Sequence, residues 1–180
     1  AVFERFFDPM SRVGLVSVSG SSAEMVFPPT RNRRRVFGKV RSLVPGGHSP
    51  LAPALSLAER ELAKARMAGG ARNCFAVLVS DCYPEPLPPG TPDVYASEPY
   101  AATRLAARSL GRARIPVIIL DPVNVPMQVM ETLPGRRLAR YIARATNGIL
   151  IPVPAEKVRS RGFSVSELLG AENSRIRKLM

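Results

Sequence analysis

Two short segments of this sequence carry oxygen-bearing side chains at positions that suit a metal ion. The segment Gly46-Gly47-His48-Ser49-Pro50 predicts a tight glycine turn that presents the hydroxyl of Ser49 at the start of a helix. Further along the chain, an apolar strand ends at the carboxylate of Asp81. Hydroxyl and carboxylate oxygens are ligands that a hard divalent cation prefers. The pattern therefore predicts a cation site with Ser49 and Asp81 as metal ligands.

Each polar residue near this site also has an ordinary structural explanation. Ser49 equally fits the N-cap of the helix, with Pro50 at its first position. Asp81 equally fits an acid that caps the loop after its strand. Asp121 ends another apolar strand and is expected to be solvated, and His48 is expected to be an exposed loop residue. No Ser-His-Asp set, catalytic carboxylate pair or phosphate-binding loop is found in the sequence, so no catalytic residue is assigned.

The elements that must position these residues alternate between strands and helices. Hydrophobic periodicity supports each assignment, and proline and glycine mark the boundaries. We expect Pro28 and Pro29 to stop the second strand and Thr30 to cap the basic helix that follows. The strand at 75–79 is expected to be buried on both faces. The predicted strands are 13–18, 23–27, 75–79, 115–120 and 149–153, and the predicted helices are 2–10, 30–40, 51–67, 98–110 (Leu105 and Leu110 inward) and 135–146.

This alternation predicts an α/β fold with a doubly wound, mostly parallel sheet. Ligands of such sheets bind beyond the carboxyl ends of the strands, where Asp81 and Asp121 both fall. A chain of 180 residues fits one domain, which we place at residues 1–154, followed by a basic carboxyl-terminal tail with a short helix at 155–180. The sequence lacks an apolar run long enough to predict a membrane span.

Four segments along the chain carry a family resemblance: residues 12–30, 44–58, 75–82 and 114–121. In this order they resemble a von Willebrand factor A domain. The most specific part is the Gly-Gly-x-Ser-Pro-Leu motif at 46–51. The similarity is closest to the carboxyl-terminal domain of magnesium and cobalt chelatase D-type subunits. It covers roughly residues 3–154 and implies a Rossmann-like architecture.

The resemblance implies a metal-ion-dependent adhesion site that holds Mg²⁺. In that family, the ligands come from an Asp-x-Ser-x-Ser loop after the first strand, a Thr in a Gly-Gly-x-Thr-Pro loop, and a later Asp. Ser49 stands at the Thr position and keeps the hydroxyl, and Asp81 stands at the later Asp position. The chain begins inside the helix that would follow the first loop. The first strand and its Asp-x-Ser-x-Ser loop are therefore expected upstream or on another chain, which leaves the Mg²⁺ site incomplete in this sequence.

The same resemblance implies a metal-ion-dependent protein-interaction domain. Such a domain would be a non-catalytic part of a magnesium-chelatase-like complex and would work with an AAA-type ATPase partner.

Cys74 and Cys82 flank a predicted strand and would lie roughly 26 Å apart, too far for a disulfide. Two free thiols favour a reducing compartment. We therefore expect a cytoplasmic protein, or a protein of the plastid stroma if the source is a photosynthetic eukaryote.

The net charge of +12 suits an anionic partner. Basic residues concentrate at 30–41, along the helix at 135–146 and in the tail. A solvated surface and docking to an acidic protein both remain open. Nucleic acid is also open, although few aromatic residues accompany the first patch, and the alternative function is a structural or RNA-associated protein that reuses the fold. The arginines predicted to bind a partner or anion are Arg31, Arg33, Arg34, Arg35, Arg137, Arg140 and Arg144.

Overall fold

The computed structural model describes residues 10–44, 46–69, 73–123, 129 and 131–154. The predicted helix at 2–10 and the tail at 155–180 therefore lie largely or wholly outside the described residues. A short 3-10 helix at Val94–Ala96 interrupts the long loop that precedes the helix starting at Glu98. The elements in chain order are β1 (Val13–Ser19), β2 (Ser22–Thr30), α1 (Arg33–Arg41), α2 (Leu51–Met67), β3 (Ala76–Val79), α3 (Glu98–Arg112), β4 (Val117–Val123), α4 (Pro134–Ala145) and β5 (Ile149–Pro154).

The first two strands form an antiparallel hairpin. Ser19 pairs with Ser22 across a turn in which Gly20 adopts a φ of 63°. The strand β2 continues through Pro28 and Pro29 to Thr30, so the predicted stop at the prolines is wrong. Proline is tolerated there because β2 is an edge strand, whose outer side needs no backbone donors.

The other three strands form a parallel sheet in the order β3-β4-β5, which confirms the predicted α/β class. The helix α3 connects β3 to β4, and α4 connects β4 to β5. Among the described residues, the hairpin and the parallel sheet are separate sheets of two and three strands. The helix α2 packs on both strands of the hairpin and on α3.

The hydrophobic core lies where α2, α3 and α4 meet one face of the parallel sheet. Val117 and Ile119 of β4 point into it and are fully buried. Burying each large aliphatic side chain contributes about 1.5–3 kcal/mol, so this cluster is the main stabilising feature of the fold. Its helical members include Leu51, Leu55, Leu110, Leu138 and Ile142.

Three local predictions are wrong. The helix α1 starts at Arg33, and its N-cap is Asn32, whose side chain accepts from the backbone of Arg35, rather than Thr30. Val79 of β3 is 70% exposed, because it points away from the helical layer on an edge strand. Leu105 is 63% exposed although Leu110 is fully buried.

Both cysteines are free thiols, as predicted, and both are buried. Within the described ranges, no helix has the length and apolar character needed to cross a membrane.

Candidate metal-binding site

The glycine loop that precedes α2 lies against the turn of the hairpin. Gly47 has a φ of 78°, a left-handed conformation that favours glycine. A Cβ atom added at Gly47 would lie 3.4 Å from the backbone nitrogen of Gly20 and from Oγ of Ser19. The loop therefore needs glycine at this position for its backbone conformation, and the hairpin turn is its neighbour on one side.

Ser49 is not the N-cap of α2. The N-cap is Pro50, and no side-chain bond caps this helix end. The helix start therefore does not use the Ser49 hydroxyl, and the ordinary explanation for this serine is wrong. Ser49 is half-buried, and its backbone N–H donates to Oε2 of Glu85 at 3.0 Å.

Glu85 connects the glycine loop to the segment that follows β3. The same Oε2 atom lies 3.7 Å from Nδ1 of His48, so one carboxylate oxygen contacts two consecutive residues of the loop. Because Glu85 stands shortly after Asp81, this contact holds the loop of Ser49 against the segment that begins at Asp81. Sequence reasoning missed Glu85, since the contact joins residues 36 positions apart and only an acid within a proline-rich stretch marks it.

Asp81 follows β3 and is exposed, at the carboxyl end of the parallel sheet. Its Oδ1 accepts from the backbone N–H of Tyr83 at 3.1 Å, so it does cap the following loop. A Cβ atom at Gly135 would lie 2.3 Å from the backbone oxygen of Asp81. The start of α4 therefore packs directly on the backbone of Asp81 and fixes its position.

Asp121 is buried rather than solvated, which corrects the sequence-based expectation. The strand β4 continues to Val123, so Asp121 lies inside the sheet, and its Oδ2 accepts from Nη1 of Arg136 at 2.8 Å. Burial raises the pKa of the Asp121 carboxyl, while Arg136 opposes the rise. Glu131 lies 3.5 Å from Nε of Arg136 and also pairs with Arg140. Asp121 is thus engaged with an arginine and is not available as a metal ligand.

Cys82 lies beside both acids but has no ligand character. Burial, followed by the negative charges of Asp121 and Asp81, raises the pKa of its thiol strongly. A thiol binds metals and reacts as the thiolate, so the raised pKa and the full burial of Cys82 both disfavour a role as ligand or nucleophile.

The two predicted metal ligands are too few to complete the shell of a cation. Ser49 and Asp81 offer a hydroxyl and a carboxylate, whereas Mg²⁺ takes about six oxygen ligands, several of them water. In the part of the chain that the structure describes, no group of three or more His, Cys, Asp or Glu side chains could hold a metal ion. The donor chemistry of the two predicted ligands therefore fits Mg²⁺, and a complete site would require further ligands from outside the described residues.

Known proteins share both sequence and fold with this chain. A family model for the von Willebrand factor type A domain matches residues 1–83. The magnesium-chelatase 60 kDa subunit of Cereibacter sphaeroides is 30% identical over 159 residues, which cover 88% of this chain and 25% of that subunit. The chain thus spans about a quarter of the length of this curated relative.

Two solved structures extend the comparison. The SpRpn10 VWA domain superimposes with a TM-score of 0.58 at 14% identity, over 91% of this chain and 73% of that one. The chain has the fold of a von Willebrand factor type A domain. The protein BatB from Bacteroides thetaiotaomicron superimposes on this chain with a TM-score of 0.56 at 14% identity, over 93% of this chain and 78% of that one. The predicted resemblance is confirmed.

Six of the seven predicted arginines lie on two helices, and Arg31 precedes α1. On α1, Arg34 is exposed and Arg35 lies over the ring of Phe27, with its Cζ atom 5.2 Å from the centroid. On α4, the Cζ atom of Arg137 lies 5.2 Å from the ring centroid of Tyr95. Partner binding by these two sets stays a prediction. The remaining predicted members are Arg31, Arg140 and Arg144, which are exposed, and Arg33, which is half-buried.

Proposed function

We propose that this A-type domain is a Mg²⁺-dependent protein-interaction domain and a non-catalytic part of a magnesium-chelatase-like complex. Its similarity to the magnesium-chelatase 60 kDa subunit supports the choice of complex. The observation that carries the proposed site is the bond from the Ser49 N–H to Glu85, which holds the Ser49 loop against the segment after Asp81. Two predicted ligand loops are thereby joined at the carboxyl end of the parallel sheet, where α/β folds bind ligands.

In this proposal, Ser49 and Asp81 hold the ion and Glu85 positions the loop of Ser49. The Asp-x-Ser-x-Ser segment expected outside this sequence supplies further oxygens. The bound Mg²⁺ supplies a hard positive centre for a carboxylate of the partner. The proposed partner is an AAA-type ATPase subunit, and ATP hydrolysis and metal insertion are assigned to other parts of the complex.

The test is the Mg²⁺ dependence of partner binding, measured by biolayer interferometry with the full-length protein and the AAA-type ATPase subunit. Asp81→Asn and Ser49→Ala are each expected to weaken binding in Mg²⁺ about 10- to 100-fold or more, since even indirect support of a ligand has an effect of that size. Asp93→Asn is the matched control, because Asp93 is an exposed acid that caps a 3-10 helix and an amide oxygen can still accept that bond. Partner binding that persists in EDTA and in Asp81→Asn would contradict the proposal.

Glu85→Ala tests the positioning role separately. It removes the acceptor for the Ser49 N–H while leaving both proposed ligands in place. We expect a higher Mg²⁺ concentration for half-maximal binding with the same plateau, and Glu85→Gln should recover much of the loss because its amide oxygen accepts the same bond.

The second candidate is a structural or RNA-associated protein, which the net charge of +12 favours. RNA binding through phosphate contacts would weaken steeply with salt and would not respond to EDTA. The same instrument distinguishes the two functions when single-stranded RNA replaces the partner.

A further inference from the structure

One side of α3 combines cations with an apolar side chain: Leu105 and Arg108 are exposed, and Arg104 is half-buried. Arg108 is four residues from Arg104 and three residues from Leu105, so its side chain neighbours both of them on the helix surface. Leu105 is 63% exposed, because the core-facing stripe of α3 is formed by other residues. That buried stripe consists of Tyr100, Thr103, Ala106, Ala107 and Leu110.

Tyr141 of α4 fixes the two arginines. The Cζ atom of Arg104 lies 4.5 Å from the ring centroid, and Nε of Arg108 donates to the phenol oxygen at 2.6 Å. Burial tends to raise the pKa of Tyr141, but the hydrogen bonds and charges of Arg108 and Arg104 outweigh it, so the pKa is lowered. Guanidinium groups held on an aromatic ring lose little rotamer freedom when they bind a ligand. The two forks are therefore ordered before any partner arrives.

The surroundings of this side of α3 are positive. After Glu98 in its first turn, α3 carries no acid, and α4 carries none along its length. The acids of neighbouring segments are already bonded: Glu131 pairs with Arg136 and Arg140, and Glu59 accepts from Ser109. We name the surface formed by Arg104, Leu105, Arg108 and Tyr141 the α3–α4 arginine surface.

We propose that the α3–α4 arginine surface docks an acidic segment of a partner protein. Carboxylates of the segment bind the guanidinium groups of Arg104 and Arg108, which match carboxylate geometry. An apolar side chain of the segment packs on Leu105. A single-stranded nucleic acid fits less well, because base binding needs an open aromatic face and guanidinium groups cover the ring of Tyr141. The surface contains no proposed metal ligand, so docking needs no Mg²⁺.

The test measures fluorescence anisotropy of a labelled peptide of Glu-Glu-Leu repeats, titrated with the full chain in EDTA. The double variant Arg104→Gln/Arg108→Gln is expected to weaken binding at least about tenfold, as loss of an interface hot spot does. The matched control Arg12→Gln/Arg60→Gln removes the same charge from two exposed positions that belong neither to this surface nor to the predicted partner-binding arginines, and it should weaken binding no more than about twofold. Equal losses in the two variants would show an effect of net charge alone and overturn the proposal.

Two further variants keep the result decisive if the double glutamine variant unfolds. Arg104→Lys/Arg108→Lys keeps both charges but loses the planar forks, and it should bind the peptide more weakly than the unmodified protein. Leu105→Ala should weaken binding without changing the charge. Unchanged binding by both variants would overturn the proposal, and so would poly-uridine that competes with the peptide and loses affinity in the same variants. Because EDTA is present throughout, these outcomes do not depend on the proposed Mg²⁺ site.

Discussion

The buried pair of Asp121 and Arg136 gives a sharp prediction of stability. Arg136→Met keeps much of the side-chain volume but leaves the fully buried Asp121 without its countercharge. Removing one partner of a buried pair costs about 3–5 kcal/mol. We expect the upper part of that range, since Asp121 Oδ1 already has no hydrogen-bond partner among the described residues and the charges of Asp81 and Glu131 are unfavourable to it.

The opposite substitution is expected to be milder. Asp121→Asn still offers an oxygen to Nη1 of Arg136, and the charge of Arg136 still faces Glu131, 3.5 Å from its Nε. The free energy of unfolding should therefore fall by about 1–3 kcal/mol, as for an imperfectly satisfied buried hydrogen bond. A symmetric ion pair isolated from other charges would not show this difference.

The cost of Arg136→Met should also depend on pH. Burial already raises the pKa of Asp121 against the effect of Arg136, and removal of the arginine raises it further. An acid whose folded pKa lies above its unfolded value binds its proton more tightly in the folded state. Its contribution is complete below the unfolded pKa and is lost as the pH rises through the folded pKa. The variant should therefore recover stability when the pH falls from about 8 to about 5.

Urea unfolding monitored by circular dichroism at both pH values measures these differences. The unmodified protein, Arg136→Met and Asp121→Asn are compared in the same buffers. An equal cost of Arg136→Met at both pH values, or a cost of Asp121→Asn as large as that of Arg136→Met at high pH, would refute this account of the buried pair.

Two further predictions concern close packing and thiol reactivity. Gly135→Ala places a Cβ atom 2.3 Å from the backbone oxygen of Asp81 and should lower the free energy of unfolding in urea by about 1–3 kcal/mol. In the control, Gly38→Ala, the added Cβ atom lies in open space inside α1 and should raise the free energy of unfolding by about 0.5–1 kcal/mol. Equal effects of the two substitutions would contradict the packing argument. Because burial and two acids raise the pKa of Cys82, and because Cys74 is also buried, both thiols should react with Ellman's reagent only on unfolding; stoichiometric labelling of the folded protein would show that one of them is accessible.

Local patterns predicted the elements well where one force dominates. The helix α2 has the predicted bounds, because a periodic apolar stripe is preceded by Pro50 and followed by glycine. The parallel strands β3 and β4 were found from their apolar runs, although β4 extends farther than predicted, to Val123. Leu105 was misplaced because periodicity alone does not show which of two adjacent stripes of α3 meets the core.

The candidate site could be predicted only where its residues lie in recognisable motifs. Ser49 and Asp81 stand at motif positions, and the structure places their segments in contact through Glu85. Neither Glu85 nor the partner of Asp121 could be predicted from spacing. In the sequence, Arg136 and Arg137 are adjacent arginines of one predicted basic helix, and nothing in the pattern distinguishes them. In the structure, Arg136 is 6% exposed and bonds to Asp121 of β4. Such pairings depend on tertiary packing, which brings distant segments together.

The glycine loop before α2 has a consequence for how the two sheets move. Its Gly47 lies beside the hairpin turn, and the N–H of its Ser49 bonds to Glu85 in the segment that follows β3. The hairpin shares no backbone ladder with the parallel strands among the described residues, so each can open by a separate local fluctuation. A ligand that immobilises the loop restrains both fluctuations at once. Occupancy of the proposed site would therefore add a second restraint between the two sheets besides the packing of α2, detectable as joint slowing of amide hydrogen exchange in both.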